Sequence, residues 1–84
     1  MNAKLDSAAL RKLDAAHHLH PFTDNKALGE TGARLIVRGE GIRIWDSEGN
    51  EIIDGMSGLW CVNLGYGRKD LVAAATEQMQ TLPF

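Results

Sequence analysis

The sequence predicts a mixed helix-and-sheet segment: one helix, a three-stranded antiparallel meander, and a second helix. Three observations carry this expectation. Residues 7–17 and 69–80 repeat apolar side chains at spacings of three and four. Residues 34–54 hold three β-rich runs separated by two short loops. The chain has 84 residues, room for one small domain or for a piece of a larger one.

The first helix can be capped by Asp6 or Ser7, whose side chains accept backbone N–H bonds. Leu5, Ala9, Leu13 and Ala16 form a narrow apolar stripe that Leu10 widens. In His17-His18-Leu19-His20-Pro21-Phe22, Pro21 pushes His20 towards extended backbone, so the helix should end before it. Residues 23–33 carry Asp, Asn, Gly, Thr and Gly in quick succession and read as an irregular linker. Residues 1–32 are therefore expected to be an N-terminal helix and linker, and residues 33–84 a second unit.

The strands are expected at Arg34–Arg38, Ile42–Trp45 and Glu51–Asp54. Gly39-Glu40-Gly41 is the first turn, where glycine reaches positive φ at low cost. Asp46-Ser47-Glu48-Gly49-Asn50 is the second. A sheet of this kind has one apolar face that something must cover. Then comes IIDGMSGLWCVNLGYGRKDL, residues 52–71, which sets four glycines around a Leu-Trp-Cys cluster. Gly55 and Gly58 allow sharp bends on either side of Met56 and Ser57, aiming Leu59 and Trp60 in a fixed direction. In the last helix Asp70 favours the positive end of the dipole, and Leu71, Ala75 and Met79, widened by Val72, form its stripe.

Composition limits the function classes. A net charge of −2 and a pI near 5.8 leave no basic stripe for nucleic acid. The single cysteine, Cys61, excludes an internal disulfide and fits a reducing, cytoplasmic setting. No run approaches the roughly 18 apolar residues of a membrane span. The N-terminal segment is charged and lacks a signal-peptide core, so a soluble protein with no membrane partner is expected. The apolar ending Thr81-Leu82-Pro83-Phe84 reads as a cut. Two thin stripes and a small sheet make little core, and the chain is expected to fold properly only against further sequence.

Few residues invite chemistry. His17, His18 and His20 are near neighbours whose side chains diverge, with no carboxylate or thiol at ligand spacing, and read as a helix end rather than a metal site. Gly65-Tyr66-Gly67 lacks the spacing and the hydroxyl of a phosphate loop and reads as a tight turn into a helix. Cys61, between Trp60 and Val62, reads as an inert buried thiol. Trp60 is either a core plug or a pocket wall, and composition favours core. Phe22, following Pro21 at a helix exit, has the same two readings.

The stretches LDAAHHLHPFTD, RGEGIRIWDSEGNEIIDGMSGLWCVNLGYGRKDL and QMQTLPF together resemble the N-terminal part of class III pyridoxal-phosphate-dependent aminotransferases. Within that class they are most similar to the ω-amino-acid or diamine–pyruvate type. The resemblance spans residues 13–84; the first dozen residues carry little of it. It implies a dimeric type I α/β fold in which residues 33–84 are part of the small domain leading to the active site. It implies pyridoxal 5'-phosphate as cofactor, an amine donor and pyruvate as substrates, and a homodimer. It also turns the tryptophan question: positions matching Leu59 and Trp60 line the substrate pocket near the subunit interface, and the position matching Phe22 lies at the same pocket. It assigns no catalytic and no cofactor-binding residue to this segment. Lys4, Lys12, Lys26 and Lys69 are the only lysines, and none sits in a motif resembling the Schiff-base site. The acidic partner of the pyridine nitrogen and the phosphate loop are missing too. The 84 residues alone are therefore expected to bind no cofactor productively and to catalyse nothing. The rival expectation is a small non-catalytic interaction module, which would need a closed core and a cooperative melt.

Overall fold

The computed structural model describes residues 5–84, in the order α1 (Ser7–His17), α2 (Asn25–Thr31), β1 (Ile36–Glu40), β2 (Arg43–Asp46), β3 (Glu51–Ile53), α3 (Ser57–Trp60) and α4 (Lys69–Thr81). Residues 1–4, with which the expected N-terminal unit begins and which include Lys4, lie outside the described residues.

α1 starts where Asp6 accepts the Ala9 amide at 3.0 Å and ends at His17, as the cap and Pro21 predict. It docks through polar contacts. Arg11 donates to the Ala33 carbonyl and to Glu48, both at 2.8 Å, and Ser7 Oγ donates to Ser47 Oγ at 2.7 Å. No residue of α1 is buried.

The expected linker contains a helix, a correction to the reading of residues 23–33. Asp24 caps α2 by accepting the Ala27 amide at 3.2 Å, and Gly32 ends it with φ of 83°. Lys26, Ala27, Leu28 and Glu30 are sound helix formers. Seven residues are too few to display a period, which is why only the breakers were conspicuous.

The meander forms as expected, in the order β1-β2-β3 with both pairs antiparallel. β1 lies about two residues later than predicted. Its register shifts between Ile36 and Arg38, so Val37 is bulged. Glu40 pairs with Arg43, leaving Gly41 (φ 58°) and Ile42 as a two-residue turn. Gly39 is thus a strand residue, and its lack of a side chain has another use: a Cβ there would stand 2.7 Å from the ring of Tyr66. The β2–β3 turn is organised by Asp46, which is only 5% exposed. Its Oδ1 accepts the amides of Glu48 at 3.0 Å and Asn50 at 2.9 Å.

The core is as thin as the stripes suggest. Among the described residues only Ala33 and Asp46 are buried, and no large side chain is fully enclosed. α4 carries Asp70 in its first turn, held by Arg68, and leaves Leu71, Val72 and Met79 exposed. Among the described residues no helix is long and apolar enough to cross a membrane.

Candidate functional site

Residues 54–66 form a loop with both feet on the β1–β2 turn. The Asp54 amide donates to the Ile42 carbonyl at 2.8 Å. Gly41 and Tyr66 exchange backbone bonds at 3.0 and 2.9 Å. A side-chain bond joins the feet to each other, since the Tyr66 hydroxyl donates to Asp54 Oδ2. A compact surface loop with adjacent ends of this kind is an Ω-loop. It encloses a cavity of about 360 Å³ bordered by Ile42, Asp54, Ser57, Asn63 and Tyr66.

At the crest is α3, a single turn of unusual hand. Ser57, Gly58, Leu59 and Trp60 have φ of 51°, 61°, 57° and 71°. That is a left-handed turn, which costs a residue with a side chain roughly 1–2 kcal/mol. The expected bend at Gly55 is not where the strain lies. Gly58 takes its share cheaply, but Ser57, Leu59 and Trp60 do not. The turn is closed by the amides of Cys61 and Val62, both donating to the Ser57 carbonyl at 2.9 Å. Asp54 Oδ1 accepts the amides of Met56 and Ser57, each at 3.1 Å, and so caps the turn's entrance.

This geometry exposes the expected residues. Trp60 is 87% exposed and Leu59 58%, so neither is a core plug of the described chain. Trp60 borders a shallow cleft of about 270 Å³ with Leu64 and Leu71. Cys61 is exposed, not buried as its apolar neighbours suggest, because the turn lifts the whole cluster outward. Phe22 also has a positive φ, 51°, and is 97% exposed. Asn25 bridges the ends of its turn, accepting the His20 amide at 2.9 Å and donating to the His20 carbonyl at 3.0 Å. His20 Nε2 in turn lies 2.8 Å from Asp14. Leu59 and Trp60 therefore share one turn, whereas Phe22 stands on another loop; of the three only Trp60 borders one of these cavities.

Two residues that sequence reasoning passed over organise the loop: Asp54 and Tyr66. A signal for the first was present, since an Asp two and three residues before amides in a bend is the pattern of an Asx turn. The hydrogen bond from Tyr66 holds the Asp54 carboxyl below its ordinary range, and the same bond pushes the Tyr66 phenol up.

Lys12, Lys26 and Lys69 are exposed helix residues. Lys12 opens on a shallow groove between α1 and α2, and neither loop cavity carries a lysine.

Residues 26–84 match the family described as aminotransferase class-III. The chain is 59% identical over 87 aligned residues to the putrescine–pyruvate aminotransferase of Pseudomonas aeruginosa; the match covers all of this chain and 19% of that enzyme. It superposes on an (S)-enantioselective ω-transaminase from Thermomicrobium roseum with TM-score 0.86 and 46% identity, covering 95% of this chain and 18% of that one. An ω-transaminase from Pseudomonas jessenii, solved in complex with PMP, matches with TM-score 0.82 and 41% identity over 89% of this chain and 17% of that one. A thermostable ω-transaminase variant with a tryptophan replaced by glycine, engineered for asymmetric synthesis of enantiopure bulky amines, matches with TM-score 0.82 and 40% identity over 89% of this chain and 17% of that one. The chain spans about a fifth of the length of these relatives.

Proposed function

The chain belongs to the class III aminotransferases, and we propose that it is the N-terminal, amine-selecting part of an enzyme that moves an amino group from a primary amine or ω-amino acid to pyruvate. The donor would leave as a carbonyl compound and pyruvate as alanine. The name of the relative from P. aeruginosa supports a diamine such as putrescine as donor and pyruvate as acceptor. Pyridoxal phosphate is the cofactor of the family. Its Schiff-base lysine, its acidic partner and its phosphate site belong to sequence outside these residues, and the 84 residues alone are inactive in this reading. A homodimer and a cytoplasmic setting complete it. The uncovered apolar surface fits the first, and the free thiol of Cys61 fits the second.

The part assigned to this chain is the wall of the amine pocket: Leu59 and Trp60 face the carbon chain of the donor, and Phe22 narrows the entrance. The observation that carries it is the strained, left-handed turn on which Trp60 stands. A large ring turned outward at a cost in backbone energy is a feature of binding sites. Of the two tryptophans here, Trp45 is half-buried with the Arg38 guanidinium 3.7 Å above its ring, whereas Trp60 is 87% exposed.

The test is Trp60→Ala in the full-length enzyme. Removing a wall should change kcat/KM for bulky relative to slender amines by about tenfold, the scale set by 1–3 kcal/mol of pocket contact. Cofactor content should stay as in the wild type. A uniform loss for all amines, with the cofactor washed out, would sink the wall role.

A further inference from the structure

An exposed side chain cannot be aimed by its own packing. Trp60 points where the backbone of α3 sends it, and that backbone is left-handed at three residues that are not glycine. Such a conformation persists only where the surroundings over-determine it. The determinants here converge on one carboxylate. Asp54 Oδ1 takes the amides of Met56 and Ser57 at the start of the turn, and Asp54 Oδ2 takes the Tyr66 hydroxyl at the loop's far foot. Tyr66 is itself immobilised. Its backbone is bonded in both directions to Gly41, and its ring lies against Gly39, where any side chain would collide with it. Gly65 is crowded as well: a Cβ there would come within 3.0 Å of the Gly41 carbonyl oxygen. A continuous path thus runs from the β1–β2 turn through Tyr66 and Asp54 to the Ser57 amide, and from the Ser57 carbonyl to Cys61 and Val62 just beyond Trp60.

We propose that Asp54 and Tyr66 are positioning residues for amine selection, their clasp closing the loop and holding the left-handed turn that presents Leu59 and Trp60. This rests on the wall reading of Trp60 given above. Neither residue need touch the amine; they act through the ring they direct. The clasp is a charge-assisted bond, stronger than a neutral one, and its loss frees the turn to relax towards ordinary backbone.

The experiment uses the full-length, cofactor-loaded enzyme and two donors, putrescine and 1-phenylethylamine. Tyr66→Phe, Trp60→Ala and the double variant are compared by the ratio of kcat/KM for the two amines, with bound cofactor measured by absorbance. Tyr66→Phe removes one hydroxyl and keeps the ring on Gly39. It should move the ratio about fivefold in the direction that Trp60→Ala moves it, less than the roughly tenfold expected for removing the ring outright, with cofactor content unchanged. In the Trp60→Ala background it should move the ratio by much less, because only Leu59 is left to direct. Asp54→Asn, whose single oxygen can keep the two amides while its NH2 donates to the Tyr66 hydroxyl oxygen, replaces the charge-assisted clasp by a neutral bond and should lie between wild type and Tyr66→Phe. If Trp60→Ala shifts the ratio and Tyr66→Phe does not, the clasp has no positioning role although the wall stands. An equal shift by Tyr66→Phe in both backgrounds would show that Tyr66 acts independently of Trp60, and overturns the proposal. Loss of cofactor and early melting in both Tyr66→Phe and Asp54→Asn would make the clasp a folding contact only. No shift in Trp60→Ala alone defeats the wall reading, and the positioning role with it.

Discussion

Ser57 holds a positive φ of 51°, and among the described residues its side chain makes no hydrogen bond to compensate. Its amide and carbonyl do the work, and glycine would supply both. Two effects oppose each other in Ser57→Gly. Relief of left-handed strain favours the variant by roughly 1–2 kcal/mol. The added freedom of the unfolded chain disfavours it by about 0.4–1 kcal/mol. Strain relief wins, and the full-length variant should gain about 0.5–1 kcal/mol, read as a rise in melting temperature of a degree or more. A lower melting temperature would mean that the serine side chain has a partner elsewhere in the enzyme. The same residue shows why the local strain is hard to anticipate. Gly55 and Gly58 announce a bend, but the hand of a turn depends on the amides that Asp54 captures and the carbonyl that Cys61 and Val62 share.

The elements divide by the kind of signal that specifies them. The meander was legible because its turns are spelled in glycine and Asp and its strands in β-branched residues, all of it local. The helices α1 and α4 were legible from their stripes and caps. α2 was not, because its existence depends on the Asp24 cap and on Asn25 tying back to His20, and neither produces a period. In the candidate site the glycine-bent arm could be seen in advance, but not the bond that closes it: Asp54 and Tyr66 are 12 residues apart, and a single side-chain contact leaves no pattern in sequence. Asp46 makes the point for the hairpin. As a turn residue it was expected; as the buried hub of the turn it was not. The Asn50 side chain, then the Asn50 and Glu48 amides and the Arg34 guanidinium, outweigh burial and hold its carboxyl below the ordinary range. A carboxylate depressed in the folded state stabilises above its unfolded value, near 3.8, and that contribution fades as pH falls through the folded value. Asp46→Asn should therefore lower the melting temperature of the full-length enzyme at about pH 6, and the gap to wild type should narrow as the pH falls below 3.8. A gap that persisted unchanged in acid would assign the loss to shape rather than charge.

At the scale of the whole chain, extension is the dominant fact. The Cα radius of gyration is 15.9 Å, with extents of 45 × 30 × 28 Å. A compact domain of this length would have a radius of about 12 Å. The difference is apolar surface left uncovered: Leu13 on α1, Ile53 on β3, Leu64 in the loop, Val72 and Met79 on α4. Hydrophobic burial is the main term that offsets conformational entropy, and here only Ala33 and Asp46 are buried among the described residues. α4, with 13 residues and none buried, is near the length at which helices in water are marginal. The arrangement is coherent for a surface that other parts of a larger enzyme cover, and incoherent for a self-sufficient module. The 84 residues expressed alone should accordingly have a stability well below the roughly 5–15 kcal/mol of a folded domain. Circular dichroism should register a broad, weakly cooperative loss of helix on heating, and a hydrophobic dye should bind strongly at room temperature. A sharp melt from a monomer with no dye binding would restore the rival module. It would also mean that the apolar faces find one another in a packing different from this one, with Trp60 no longer turned outward for an amine.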